Sequence, residues 1–286
     1  MTGPEAHWLP DRRRLHLHHG PIDLILQAWG APEARAAAYA AADARFRTIL
    51  AELTAELPHL RSPTPHTFRS PVAQAMAAAV APFRPAFITP MAAVAGAVAD
   101  EILARMAEAA PLARAYVNDG GDIALHLAPG ETLTAAIAGT GGETGARTTI
   151  AHADPVRGIA TSGWRGRSFS LGIADAVTVL AATAAEADAA ATMIANAVDL
   201  PHHPAVTRAP AQSLQHDTDL GPRLVTTAVG PLGPAGIARA LDSGLAAAET
   251  MRTRGLIAAA ALFLQGEART TGPIPLTTEE TEIAHA

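Results

Sequence analysis

The sequence predicts a chain of mixed helices and strands in one large body, and three observations carry that reading. With 286 residues the chain is long enough to bury a substantial core. Apolar and polar residues alternate at 14–29 and again around 115–127, which is the period of half-buried strands. Apolar positions recur at helical spacing between residues 32 and 57 and again after Pro90.

The elements follow in order. Leu15 and Leu17 alternate with His16 and His18, and the turn pair Gly20-Pro21 leads into IDLILQAW, so 14–29 reads as a strand pair. From Pro32 to Leu57, Phe46, Ile49, Leu50, Leu53 and Leu57 share a helix face, and Pro58 stops the pattern. The Pro-rich segment 58–71 reads as a loop. Thr89 and Pro90 stand as N-cap and first residue of the helix MAAVAGAVADEILARMAEA. Its Ala92, Ala93, Gly96, Ala97 and Ala99 leave so little side chain that another backbone or a ligand must come close.

AYVNDGGDIALHL at 115–127 consists of two alternating runs broken at Asn118–Asp122, and the stretch GTGGETGARTT follows. Val177–Leu180 then reads as a buried strand, AEADAAATMIANAV as an Ala-rich helix and 201–223, with four prolines, as a loop. LVTTAVG is a strand, GIARALDSGLAAAETMRTRG a helix, and LIAAAALFLQG a strand or buried helix. Residues 1–13 and 267–286 are expected to be flexible ends. No linker divides the chain, so 1–286 reads as a single domain.

Composition excludes several chemistries. The chain lacks Lys, so Schiff-base and Lys-base catalysis are out, and it lacks Cys, so thiolates, disulfides and Cys-bound metals are out. A net charge of −6 argues against nucleic acid as partner. The N-terminal twenty residues carry no signal-peptide pattern, and the apolar runs fall short of the roughly 20 residues a membrane helix needs. A cytoplasmic protein with a small-molecule or nucleotide ligand and no membrane partner is the expectation. The Ala/Gly helix face is equally suited to contact with a second subunit in a homo-oligomer.

Four groups of residues bear chemistry, each beside a plainer reading. Asn118, Asp119, Gly120, Gly121 and Asp122 fit a β-turn, yet a two-residue turn does not need all three polar side chains. Paired glycines also let a ligand reach the backbone. Thr161, Ser162 and Gly163, in ATSG, are either a Ser-Gly turn or donors to a phosphate. Asp188 and Thr192 lie one helical turn apart, hard oxygen groups suited to Mg²⁺, or else Asp188 merely complements a helix dipole. His16 and His18 share a strand face as a metal pair might, but the sequence offers no third ligand at a defined spacing.

The order of these motifs resembles the ApbE family of Mg²⁺-dependent FAD:protein FMN transferases. The chain is more closely similar to an ApbE-related family of unassigned function that shares the HHGPIDL start, the ITPMAAVAGAVAD helix and the VNxGGDIA loop, from about His16 to Gly266. The resemblance implies an α+β fold of T-fold-like, duplicated antiparallel sheets with packed helices. It makes Asp188 and Thr192 Mg²⁺ ligands, with the backbone of Val94 completing the metal site. It also places Asn118, Gly120, Gly121, Thr161, Ser162 and Gly163 along a flavin nucleotide, FAD or FMN, with Asp119, Asp122 and Arg167 as catalytic groups. Two positions depart from the transferases. Ala95 stands where they have Lys, and their H-I-x-D-P segment is shortened to RSFSLGIADA, with Arg167 near the missing His. The implied function is a divergent Mg²⁺-dependent enzyme acting on FAD or a related pyrophosphate nucleotide. The alternatives are an enzyme for a small carboxylated or heterocyclic metabolite without flavin, and a non-catalytic flavin or metabolite binder.

Overall fold

The computed structural model describes residues 3–138 and 144–273. Nine strands form one antiparallel sheet in the order β1-β2-β3-β4-β5-β8-β9-β12-β13. They are β1 (Glu5–Trp8), β2 (Leu15–His19), β3 (Ile22–Trp29), β4 (Arg114–Asp119), β5 (Asp122–Leu127), β8 (Gly158–Ser162), β9 (Ala176–Ala181), β12 (Ala259–Leu264) and β13 (Glu267–Thr271). Two separate hairpins pair β6 (Thr132–Ala138) with β7 (Thr144–Ala151) and β10 (Val206–Pro210) with β11 (Leu224–Val229). The helices are α1 (Pro32–Leu60), α2 (Pro71–Val80), α3 (Val94–Ala109), α4 (Ala184–Ala197), the short α5 (Ala211–Leu214) and α6 (Pro234–Thr253). The architecture is therefore α+β. Along the sheet, strand-strand-helices-strand-strand runs twice, first as β2 to β5 around α1–α3 and then as β8 to β13 around α4–α6.

Alternation sets the two faces of the sheet. Leu15, Leu17, Ile22, Leu24, Leu26 and Val117 point to the helix side and join Phe46, Ile49, Met76, Ile102 and Ile194 in the main core. On the opposite face a smaller core of Leu125, Leu127, Ile159 and Leu180 is closed by Ala135 and Ile150 of the β6–β7 hairpin. β9 and β12 are buried along their whole length because both faces are covered.

Several expectations change in detail. Pro58 does not stop α1, which runs through it to Leu60. The chain from Pro90 to Ala93 is a 3₁₀ turn, and α3 begins at Val94; Thr89 makes no side-chain cap to it and instead donates its hydroxyl proton to Asp219. The segment 201–223, read as loop, contains β10 and α5. The ends contribute too, since Glu5–Trp8 pairs with β2 and Glu267–Thr271 pairs with β12. Both are short, mostly exposed strands at the sheet edges, where no buried apolar face is needed, and that hides them from a hydrophobicity pattern. Residues 139–143, in the Gly/Thr-rich stretch, lie outside the described residues. Among the described residues no helix is long and apolar enough to cross a membrane.

Candidate carboxylate site at two helix starts

The β4–β5 turn brings the first two acids together. Asp119 and Asp122 face each other across the last rung of the hairpin, joined by Gly120 and Gly121 with φ of +64° and +116°. Both angles lie where glycine is favoured. The Oδ1 of Asn118 accepts the Gly121 amide at 2.8 Å, so this side chain closes the turn. Cross-strand register puts Asp119 and Asp122 on the helix side, Asp119 level with Leu24 and Asp122 on the same face as Ala124. Asp119 is only 5% exposed. Asp122 is partly buried, and its Oδ1 accepts the Thr161 amide at 3.1 Å where the β5–β8 ladder ends.

The third acid arrives from α4. Asp188 Oδ2 accepts the Gly96 amide at 3.1 Å, and the Ala95 amide also points to this carboxylate. Asp188 therefore caps the N-terminus of α3 rather than complementing the dipole of its own helix. The reverse contact exists as well: Asp100 of α3 accepts the Ala184 and Ala185 amides at 3.0 and 2.9 Å and caps α4. The small residues of α3 are explained by the same junction, for a Cβ on Gly96 would lie 2.3 Å from the Ala184 carbonyl oxygen. It is a backbone that approaches this face.

Burial without full compensation raises these carboxyl groups. Asp119 is pushed up to about 7 by burial and then by the neighbouring charge of Asp122, against hydrogen bonding from the Asp23 amide and the attraction of Arg167. Asp122 is likewise pushed up to about 7 by burial, opposed by the Thr161 amide and Arg167. Asp188 is raised by burial, then by Asp122 and Asp119. Asp122 raises Asp119 and both raise Asp188, so the three form a cluster short of positive charge. The one cation acting on the pair is Arg167, which is exposed and has no ion-pair partner within 4.0 Å among the described residues. Its guanidinium lies on the turn, where a Cβ on Gly120 would meet Nη2 at 1.8 Å.

The remaining expected residues divide. Thr192 is half-buried one turn beyond Asp188, and Val94 is the first residue of α3 beside Ala95. Ser162 ends β8 on the helix side. The Thr161 hydroxyl turns to the other face and pairs with the Thr178 hydroxyl at 2.8 Å. Gly163 is required by packing, since a Cβ would stand 2.5 Å from the Asp175 carbonyl oxygen.

Sequence reasoning passed over two acids. Asp100 closes the ITPMAAVAGAVAD segment, where its own position carried no assigned role. Asp175 has a side chain 1% exposed, and it accepts from Arg165 Nε at 2.7 Å, Trp164 Nε1 at 3.2 Å and the Gln265 amide at 2.6 Å. It fixes the loop that carries Arg167. A separate cavity of about 610 Å³, lined by Arg45, Glu52, Glu56, His66 and Arg69, lies by α1 and contains none of the expected site residues.

Comparison with known proteins finds relatives over part of this chain. A UPF0280 protein of Methanococcoides burtonii is 37% identical over 116 residues, which is 40% of this chain and 48% of that protein. One of Methanocaldococcus jannaschii is 40% identical over 114 residues, 38% of this chain and 45% of that one. One of Methanopyrus kandleri is 38% identical over 136 residues, 44% and 48% respectively. The chain thus spans about half the length of the curated relatives it matches. The family model described as AbpE bacteria matches residues 6–270, from β1 to β13, and the chain belongs to that family.

Proposed function

We propose that the chain is a divergent ApbE-like enzyme of T-fold-like architecture that binds FAD or a related pyrophosphate nucleotide with Mg²⁺ at the carboxylate site. The observation that supports this most is the acid cluster of Asp119, Asp122 and Asp188, in which Arg167 offsets the charge of Asp119 and Asp122. Hard oxygen groups short of positive charge fit a hard divalent cation. Asp188 holds the Gly96 amide through Oδ2, and Thr192 stands one turn away. These two, with the Val94 backbone, would hold Mg²⁺, which supplies neutralisation of charge developing on the pyrophosphate.

The protein's own groups do the rest. Arg167, on the turn and without a carboxylate partner of its own, receives a phosphate oxygen. The Gly120 amide and the Ser162 hydroxyl orient the nucleotide. Asp119 and Asp122, each with a pKa near 7, are poised to take a proton from the attacking water or acceptor hydroxyl near neutral pH. With water as acceptor, FAD and H₂O give FMN and AMP, and the proton of the attacking water passes to the carboxylate.

Chromatography of FAD incubated with the protein, with Mg²⁺ and with EDTA, tests the reading. Metal-dependent FMN and AMP support it, whereas FAD recovered unbound and unchanged overturns the flavin part. Asp188→Asn keeps an oxygen for the Gly96 amide and removes the charge. Unchanged Mg²⁺ affinity in that variant would sink the metal assignment.

A second reading draws on Ala95, which removes the transferases' Lys, and on Arg167, which is exposed and has no ion-pair partner within 4.0 Å among the described residues. It is an enzyme or binder for a small carboxylated metabolite without flavin, gripped by Arg167, and it predicts carboxylate binding in the presence of EDTA.

A further inference from the structure

The outer face of the sheet edge carries a second ligand set, on the side of the sheet opposite Asp119 and Asp122. His16 and His18 on β2 are two apart and share a face, and Asp23 on β3 stands directly across from His18. Each offers one ligand atom, and the three atoms lie within 4.8 Å of one another. All three residues are half-buried, and Nε2 of His16 is in contact with Oδ1 of Asp23. The face extends to β1, where His7 pairs across from His16 and Glu5 across from His18. Five residues of metal-ligating type therefore share one face of three adjacent strands, while their neighbours Leu15, Leu17, Ile22 and Leu24 fill the core behind.

We propose that His16, His18 and Asp23 bind a zinc-class divalent ion, with the fourth position left to water. Two imidazoles and one carboxylate are borderline ligands that suit Zn²⁺ better than Mg²⁺ or Ca²⁺. Ligand atoms around a tetrahedral Zn²⁺ stand about 3.4 Å apart, given metal–ligand lengths of about 2.1 Å. Small rotations of these side chains on a fixed two-strand ladder reach that spacing. Sequence spacing alone could not reveal the site, because the third ligand comes from the next strand and depends on hairpin register. Three protein ligands with an open position give a site able to polarise a bound water or ligand, and the ion would also tie β2 to β3 near the sheet edge.

Equilibrium dialysis of the full chain against Zn²⁺, after EDTA stripping, tests the assignment, with Co²⁺ replacing Zn²⁺ for a visible absorption spectrum. The expected result is one ion per chain and tetrahedral-type Co²⁺ bands. His16→Ala, His18→Ala and Asp23→Ala each lose more than about tenfold in affinity, since even outer-sphere changes at zinc sites cost 10- to 100-fold. His202→Ala and His203→Ala, in the loop after α4, leave affinity unchanged. Circular dichroism confirms that the variants fold, and the conservative His18→Gln covers any that do not. Binding unaffected by these substitutions, or equally reduced by the His202 and His203 changes, overturns the proposal, as does no binding at all.

Discussion

Asp100 and Asp188 cap each other's helices. Each sits inside one helix and spends its carboxylate on the first free amides of the other, Asp100 on Ala184 and Ala185 and Asp188 on Gly96. The two helices are thereby locked at their starts, and the carboxylate site is built at one of those starts. Asp100→Ala removes two acceptors from the α4 amides and should cost about 1 to 2 kcal/mol, the range for a lost N-cap. Urea unfolding measures it. A loss below a few tenths of a kcal/mol would show that water replaces the cap fully.

The same residue predicts a pH dependence. Burial pushes Asp100 up to about 6 from 3.8, against the pull of the two amides. The folded chain therefore holds this proton more tightly than the unfolded chain. Its contribution to stability is complete below pH 3.8 and is lost as pH rises through about 6. Glu52 acts in the opposite sense. Arg45 holds it down to about 2, so its contribution is lost as pH falls below the ordinary 4.5. The thermal midpoint in EDTA should be higher at about pH 5 than at about pH 8. Asp119 and Asp122, raised to about 7, act in the same sense, so Asp100→Asn should reduce that difference without abolishing it, and an unchanged slope would remove Asp100 as a contributor.

Gly96 makes a prediction against the usual helix rule. Ala for Gly inside a helix ordinarily stabilises by roughly 0.5 to 1 kcal/mol. Here the added methyl meets the Ala184 carbonyl oxygen at 2.3 Å, and neither backbone can yield without opening the α3–α4 junction. Gly96→Ala should destabilise by about 1 to 3 kcal/mol. Gly236→Ala in α6 is the control, for its methyl meets nothing nearer than a Leu200 methyl at 3.5 Å. Equal effects of the two changes in chemical denaturation would contradict the packing account.

How far the sequence could be read depends on how local each signal is. Alternation at Leu15–Trp29 and periodicity at Phe46–Leu53 reflect burial of one face and translate directly into β2, β3 and α1. The need for close approach at Gly96 was visible, but the partner was not, because Ala184 lies 88 positions away. Asp119, Asp122 and Arg167 were chosen from motif and resemblance, and the fold brings all three to one turn. Asp100 remained hidden because an acid in a helix has the same local signal whether it faces water or another helix's amides.

Gly120 couples the turn to Arg167, and this supplies the most direct test of the site's organisation. The residue has φ +64°, and its missing side chain is the space in which the Arg167 guanidinium rests. Gly120→Ala should cost about 1 to 2 kcal/mol from the left-handed backbone alone. Its methyl must also evict Nη2, which is the far end of a flexible side chain and moves readily. The expected pattern in a titration with inorganic pyrophosphate and Mg²⁺ is that Gly120→Ala and Arg167→Ala weaken binding to a similar degree. The double variant should be no weaker than either single one, because both changes remove the same cation from the same place. Additive losses would mean that Gly120 contacts the ligand on its own account, through its amide, and that Arg167 acts elsewhere.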